Sequence, residues 1–346
     1  MTDSTLSDAM ASNYMQADLT LRIWQATKSD RTVADELAAS KGADKHALTV
    51  TKRLLEGNKE LKECVAAYGR VRTWFYSKTL SLGNGIYIVP VTVAMKFLAE
   101  FDKLKREADA ARDDLLDQYD TAVSNAASRL GSMFDPSNYP SKGEVSSMFN
   151  AILDVRPVPA TADYDRLAIP GKLASGLKEV YAKRAEAQAD SAVKDLQEKL
   201  LVELNRVATQ LGKVAKGEKT RLYQSLITNM QGLVDLARGL GAIDGGQLSS
   251  LADDIERKLL VTKQVGDFKD NAPLARSVST AAGEIAKQIA QPEVAAWNKT
   301  ADRLINETLA EIDSDTTATK EVQDNNDGGD NDPEIAPDFD IDSVYY

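Results

Sequence analysis

Apolar residues recur at steps of three or four along most of this chain, the spacing that places them on one face of an α-helix. The longest stripe runs over residues 172–216, close to the seam of a coiled coil, until Gly217 interrupts it. Another runs over residues 91–134 and is stopped by Pro136. Shorter stripes predict helices at residues 31–40, 58–79, 222–240, 246–262, 274–290 and 293–311. Stripes of this kind are typical of helices that pack around a common core.

Three short segments are rich in β-forming residues instead. They cover residues 19–24, 86–90 and 150–157, and the turn signal Gly83-Asn84-Gly85 precedes the second. The predicted fold class is therefore mainly α with a small β-sheet (α+β), built on long antiparallel helices.

Both ends of the chain lack helical periodicity. Residues 1–16 are small and polar and are predicted to form a flexible arm. From residue 313 to 346, Asp, Asn, Gly and Pro dominate, which predicts a disordered acidic C-terminal tail. Between the two we predict a mixed α/β region with a long helix over residues 17–160 and a helical region over residues 161–312.

The negative charge is concentrated in the tail. Residues 311–346 hold twelve acidic residues and one lysine, a net charge of −11 that equals the charge of the whole chain. Residues 1–310 are therefore neutral and can carry a basic face that the total charge conceals. The tail ends with apolar groups between carboxylates, which favours either a solubilising extension or a partner-docking motif formed by Phe339, Ile341, Tyr345 and Tyr346.

The residues that most enzymes and metal sites need are scarce. Cys64 and His46 are the only cysteine and histidine, too few for a structural zinc site, a disulfide or a conventional Ser-His-Asp triad. No phosphate-binding glycine loop is present. We therefore predict no catalytic residues, no metal site and no cofactor. The carboxylates Asp109, Asp113, Asp114 and Asp117 share a helix, which indicates a solvated face or, as an alternative, a metal-dependent nuclease.

The N-terminal sequence has neither the basic region nor the apolar region of a signal peptide. The longest apolar run is about ten residues, against about 20 for a membrane-spanning helix. We therefore expect a cytoplasmic protein (in the host cell cytoplasm if it is phage-encoded) with no membrane contact.

Basic and aromatic residues are clustered at residues 70–78, which contain three cations, three consecutive aromatics and no acid. Binding a single strand of nucleic acid needs cations along the phosphates and flat faces on which bases stack. Residues 16–90 as a whole hold twelve basic against eight acidic residues. The candidate nucleic-acid-binding residues here are Arg70, Arg72, Trp74, Tyr76 and Lys78, with Arg22 and Trp24. Core packing of Trp74 and Phe75 is the alternative, because consecutive helical residues point in different directions.

A second basic cluster lies at the break between two predicted helices. It consists of Lys213, Lys216, Lys219 and Arg221. It is either a further nucleic-acid contact or only the charged tip of a helical hairpin.

Several segments, taken in order, resemble a known family. Residues 19–24, 31–43, 72–80, 129–140 and 154–159 resemble an uncharacterised family of phage and plasmid proteins. They also resemble the single-stranded-DNA-binding RNA polymerase cofactor of phages that carry a virion RNA polymerase. The resemblance covers residues 17–240 and includes no catalytic motif. It implies a protein that binds single-stranded DNA and recruits the phage RNA polymerase.

The acidic tail is similar to the tails of prokaryotic and phage single-stranded-DNA-binding proteins. That similarity implies docking of a replication or transcription partner, in competition with DNA. The alternatives are a structural or scaffolding protein of a phage particle and the metal-dependent nuclease. Exposed helical stripes favour a homo-oligomer.

Overall fold

The fold is organised around a four-stranded antiparallel sheet with helices on both faces. The computed structural model describes residues 6–160, 163, 171–241 and 247–290. The sheet has the strand order β4-β5-β1-β6, and β2 and β3 form a separate two-stranded sheet. The strands are β1 (Tyr14–Arg22), β2 (Thr27–Ser29), β3 (Thr51–Arg53), β4 (Leu80–Ser81), β5 (Tyr87–Pro90) and β6 (Asn150–Pro157).

Helices account for most of the described residues. They are α1 (Leu6–Asn13), α2 (Arg31–Lys41), α3 (Lys59–Lys78), α4 (Val91–Asp117), α5 (Tyr119–Leu130), α6 (Lys142–Ser147), α7 (Gly171–Ala215), α8 (Ser225–Leu240), α9 (Gln247–Leu259) and α10 (Ala272–Ile289). None of the helices in the described part of the chain is both long enough and apolar enough to cross a membrane. The predicted fold class, mainly α with a small sheet, is confirmed.

Local capping explains where several helices begin and end. The side chain of Asn58 accepts a hydrogen bond from the Leu61 amide at 2.7 Å and so starts α3. Asp30 caps α2 in the same way through the Val33 amide. α2 ends at Gly42, whose φ of 63° is a left-handed conformation that glycine adopts at little cost. These caps agree with the helix boundaries that the periodicity predicts.

The two faces of the sheet are buried against different helices. On one face, Tyr14, Leu80 and Ile88 belong to the core shared by α7, α8, α9 and α10. On the other face, Ala17 and Val89 pack against aromatic side chains of α3 and α4. Successive side chains of β1 and β5 point to opposite faces of the sheet. The sheet therefore packs against the helical bundle on one face and against α3 and α4 on the other.

The helices of the bundle run antiparallel to their neighbours. The Ser279 hydroxyl of α10 donates to the Ala208 carbonyl oxygen at 2.7 Å, and Arg276 donates to the Ala215 carbonyl oxygen at 3.3 Å. Residue numbers thus rise along α10 as they fall along α7. Two hydrogen bonds, from Thr220 to Gln210 and from Arg206 to Ser225, show the same relation between α7 and the segment that leads into α8. The C-terminal end of α7 therefore lies beside the start of both α8 and α10.

The flexible arm predicted for residues 1–16 is wrong for residues 6–16. These residues form α1 and the start of β1, and Met10 and Tyr14 are almost completely buried. The Tyr14 hydroxyl also donates to the Gly239 carbonyl oxygen at 2.5 Å. A helix of eight residues with two large apolar side chains shows too little periodicity to be recognised in the sequence.

The long helix predicted over residues 91–134 is divided. α4 and α5 meet at Gln118, which has φ −92° and ψ 0°, and α5 ends at Leu130. A break of one residue hardly changes the spacing of the apolar stripe, so the periodicity does not reveal it. The strands β2, β3 and β4 were also not predicted, because two or three residues are too few for an alternating pattern.

The predicted boundary near residue 160 does not divide the core. The described residues belong to one compact unit, and α1, β4 and β5 pack with the bundle although they precede residue 160. The helix predicted at residues 293–311 and the acidic tail at residues 313–346 lie outside the described residues.

Candidate nucleic-acid interface

The aromatic residues of the segment 70–78 are mostly part of the protein core. The indole ring of Trp74 stacks on Phe97, with ring centroids 4.7 Å apart and an interplanar angle of 21°. Its Nε1 donates to the carboxylate of Glu100 at 2.9 Å. Phe75 is buried. The structure therefore does not favour Trp74 as a base-stacking platform, because one ring face and its N–H already have partners within the protein.

Tyr76 is the remaining aromatic of this segment. It is 45% exposed, and its ring packs against Tyr87 of β5 with centroids 5.2 Å apart. Arg70 and Arg72 are exposed on α3. Two turns of α3 thus carry two exposed arginines and one partly exposed ring.

Lys78 is separated from that surface by its contacts with α8. Its Nζ lies 2.7 Å from the position that a Cβ atom on Gly232 would occupy. The cavity on this side of Lys78 is also lined by Glu100, Asp235 and Lys96. Lys78 is therefore only partly exposed and occupies the α3–α8 contact among charges of both signs.

Arg22 and Trp24 do not extend the α3 surface in the way the sequence indicated. Arg22 is exposed at the end of β1, opposite Asn150. Trp24 is half-buried and packs near Tyr119, with ring centroids 6.4 Å apart. Its ring contributes to the core formed with α5, so the structure does not support Trp24 as a free stacking face.

The second basic cluster occupies a well-defined turn after α7. The Glu218 amide donates to the Lys213 carbonyl oxygen at 3.0 Å, and the Gly217 amide donates to that of Val214 at 2.9 Å. Gly217 has a φ of 76°, which a side-chain-bearing residue rarely adopts. The turn leaves four cations exposed, namely Lys213, Lys216, Lys219 and Arg221.

Two cations from distant parts of the sequence join this turn. Arg276 of α10 reaches it through its hydrogen bond to the Ala215 carbonyl oxygen. Lys263 lies nearby because Gln224 donates to the Lys263 carbonyl oxygen at 2.7 Å and accepts from the Val265 amide at 3.1 Å. We call this surface the basic end, formed by Lys213, Lys216, Lys219, Arg221, Lys263 and Arg276.

The basic end carries an excess of positive charge. Residues 213–223 and 260–276 together contain seven basic and three acidic residues. Within the described part of the chain, none of the six cations of the basic end forms an ion pair. Their charge is therefore not neutralised by an ion pair, in contrast to Arg206 of α7 and Arg238 of α8, which pair with acids.

An exposed tyrosine completes the basic end. Tyr223 is 55% exposed, and the guanidinium carbon of Arg221 lies 5.5 Å from the centre of its ring. A cation at this distance interacts favourably with the ring face. The basic end thus combines cations with an accessible aromatic face, which the α3 segment offers to a smaller extent.

Tyr223, Lys263 and Arg276 are the residues of this surface that the sequence analysis missed. For Tyr223 the helical pattern gives no signal, because a residue three positions before the buried Leu226 would lie on the same side of a helix. For Lys263 and Arg276 no local signal exists. Their proximity to the turn depends on the antiparallel packing of α10 on α7.

One of the carboxylates considered for a metal site, Asp109, is engaged in structural contacts. Asp109 accepts hydrogen bonds from the Tyr68 hydroxyl at 2.7 Å, from Lys105 at 2.7 Å and from Arg112 at 3.1 Å. Burial alone would raise the pKa of Asp109, but the hydrogen bonds from Lys105 and Tyr68 lower it below its ordinary value. Among the described residues, no three acidic, histidine or cysteine side chains are grouped so that they could hold a metal ion.

The single cysteine and the single histidine are not placed together. Burial raises the pKa of the Cys64 thiol to about 12, so it stays protonated at neutral pH and is a poor nucleophile. His46 lies on an exposed turn, where its amide donates to the Asp44 carboxylate at 2.8 Å.

Comparison with protein-family models, with curated proteins and with solved structures finds no match for this chain. The predicted docking residues Phe339, Ile341, Tyr345 and Tyr346 lie outside the described residues.

Proposed function

We propose that this protein binds single-stranded DNA at the basic end and performs no chemistry on it. The observation that carries the proposal is the exposed Tyr223 ring, held beside Arg221 among cations without acidic partners. Phosphates are attracted by such cations, and an unpaired base can stack on the ring. This surface replaces the α3 segment as the main candidate contact.

The same features favour a single strand over a duplex. In a duplex the bases are already stacked on one another and their faces are covered, so Tyr223 would have nothing to contact except backbone. A base of a single strand can leave its neighbours at little cost. Contact through phosphates and ring faces also carries no hydrogen-bond pattern that would distinguish sequences, so weak sequence preference is expected.

Removal of the Tyr223 ring tests the proposal directly. We expect Tyr223→Ala to weaken binding of a labelled single-stranded oligonucleotide about tenfold, since stacking contributes about 1–3 kcal/mol per base. Tyr223→Phe keeps the ring and should bind like the parent protein. Fluorescence anisotropy at several salt concentrations measures these affinities, with duplex DNA of the same sequence as a second ligand.

Tyr76→Ala is the matched control, because Tyr76 is the partly exposed tyrosine of the α3 surface. It should change the affinity less than twofold. Equal affinity for duplex and single strand, or a loss in Tyr76→Ala as large as in Tyr223→Ala, would show that the basic end is not the binding surface. No binding by the parent protein would leave the scaffolding alternative as the better hypothesis.

Recruitment of a phage RNA polymerase or a replication protein is the second part of the proposal. It is supported by the sequence resemblance and by the charge distribution, in which the segment 311–346 carries −11 beside a neutral body. We propose that Phe339, Ile341, Tyr345 and Tyr346 bind the partner, while the carboxylates of the segment compete with DNA for the basic end.

Truncation of the acidic segment separates these two roles. We expect a chain that ends at residue 312 to bind single-stranded DNA more tightly, most clearly at low salt, because a tethered competitor acts at an effective concentration of about millimolar. Deletion of residues 344–346 alone should leave the DNA affinity nearly unchanged and weaken capture of the polymerase. A truncated protein with unchanged affinity for DNA and for its partner would reduce the segment to a solubilising extension.

A further inference from the structure

Strand β6 forms an edge of the four-stranded sheet. One side of β6 pairs with β1 over its whole length, from Met15 opposite Pro157 to Arg22 opposite Asn150. On its other side no strand of the described part of the chain is paired with it. An edge of eight residues presents unpaired N–H and C=O groups and can accept another strand.

The sequence of this edge is complementary to itself when it is read in the opposite direction. If two copies of β6 are placed antiparallel with Val155 opposite Val155, Asp154 faces Arg156, Leu153 faces Pro157 and Ile152 faces Val158. From residue 152 to residue 158, every pair in this register is then either apolar with apolar or acid with base. Cross-strand pairs of these kinds stabilise a sheet, since directly opposed side chains are in contact.

Registers shifted by two residues, which keep the same side chains on each face of the sheet, are unfavourable. A shift of the second copy by two residues in either direction places Asp154 opposite Asp154 or Arg156 opposite Arg156. Directly opposed like charges destabilise strand pairing. Shifts by one residue put side chains of the buried face opposite those of the exposed face. The charges therefore select one register out of those that an edge strand could adopt.

Three of the side chains that would meet are exposed in the single chain. Ile152 is 53% exposed, an unusual position for a large apolar residue in a strand. Asp154 and Arg156 lie on the same face of the sheet and are also exposed. The edge thus offers both the apolar and the charged groups that the pairing uses.

Within one chain, two carboxylates at the β1–β6 pair share a single arginine. Asp18 of β1 lies directly opposite Asp154, and Arg156 contacts both carboxylates, with its Nη1 3.6 Å from the Asp154 Oδ2. One guanidinium is therefore shared by two opposed acids. Pairing with a second copy would bring that copy's Arg156 beside Asp154, which gives each carboxylate a cation.

We propose that β6 pairs with β6 of a second copy of this chain around a twofold axis at Val155. The two four-stranded sheets then form one continuous sheet of eight strands. The first turns of α7 lie beside the end of this edge, because the Tyr181 hydroxyl donates to the Pro159 carbonyl oxygen. They expose Leu173, Leu177 and Val180, which add apolar surface next to the interface. A twofold dimer of this kind places two basic ends on one particle.

Charge reversal at the edge tests both the partner and the register. We expect the full-length protein to be a dimer by sedimentation velocity at about 10–100 μM. Asp154→Arg places arginine opposite arginine and Arg156→Asp places aspartate opposite aspartate, so each variant alone should be monomeric. An equimolar mixture of the two variants should form a heterodimer, because every opposed pair is then complementary again.

The double variant Asp154→Arg with Arg156→Asp should be dimeric, and it keeps a basic residue opposite Asp18 within each chain. If Arg156→Asp alone does not fold, as circular dichroism and thermal melting would show, the double variant still tests the register. A monomeric parent protein overturns the proposal, as does an Asp154→Arg variant that remains dimeric or a mixture that does not associate. The affinity of a short oligonucleotide per chain should be the same in Asp154→Arg, so this test is independent of DNA binding.

Discussion

Replacing Lys213, Lys216, Lys219 and Arg221 together by alanine is expected to weaken the binding of single-stranded DNA about 100-fold at low salt. These four side chains are exposed, and no described acidic residue forms an ion pair with them. Fewer counterions are released on binding when a phosphate contact is lost. For a single strand, each lost contact makes the slope of log K against log salt shallower by about 0.7. The slope should therefore become shallower by about three, which fluorescence anisotropy between low and moderate salt measures.

The control removes the same number of charges from another exposed region. Lys28, Arg31, Lys41 and Lys45 are all exposed, and none of them belongs to the basic end. Their joint replacement by alanine gives the same net charge, so it corrects for attraction of DNA to the whole protein. We expect a loss of less than fivefold in this variant. Equal losses in the two variants would mean that the binding is non-specific attraction with no defined surface.

The second large effect is on stability and concerns Trp74. We expect Trp74→Ala to lower the free energy of unfolding by about 3 kcal/mol, near the lower end of the range for a large aromatic because the side chain is only partly buried. The change removes the stacking on Phe97 and leaves the Glu100 carboxylate without its indole donor. Urea unfolding followed by circular dichroism measures the loss.

The variant Trp74→Phe separates the two contributions, since it keeps an aromatic ring against Phe97 and loses the hydrogen bond. It should cost about 1 kcal/mol. Both variants should bind single-stranded DNA within twofold of the parent protein when measured well below their melting temperatures. A Trp74→Ala protein of unchanged stability and much weaker DNA binding would restore the interpretation of Trp74 as a base-stacking residue.

The two basic clusters show how far the candidate site could be predicted. The residues from Lys213 to Arg221 are adjacent in sequence, and Gly217 between them marks the turn that exposes them. The segment 70–78 has more aromatics and an equally clear composition, yet its rings are partly or fully buried. Composition indicates which residues are present in a segment, but the orientation of each side chain depends on which elements pack against it.

The sequence by itself determined most of the longer helices and the approximate positions of the three longer strands of this protein. Periodicity, caps such as Asn58 and breaks such as Gly217 depend on residues close together in the chain, so a local pattern contains them. It also determined that the acidic charge is concentrated at residues 311–346 and that the rest of the chain is neutral.

Only the tertiary structure decided which charged and aromatic groups share a surface. Arg276 joins Lys213 because α10 packs antiparallel on α7. Trp74 is half-buried because α4 brings Phe97 and Glu100 against α3. Likewise, β6 is an edge strand only because the sheet has the order β4-β5-β1-β6. These arrangements result from burying apolar faces contributed by distant segments, a global requirement that no single segment of the sequence expresses.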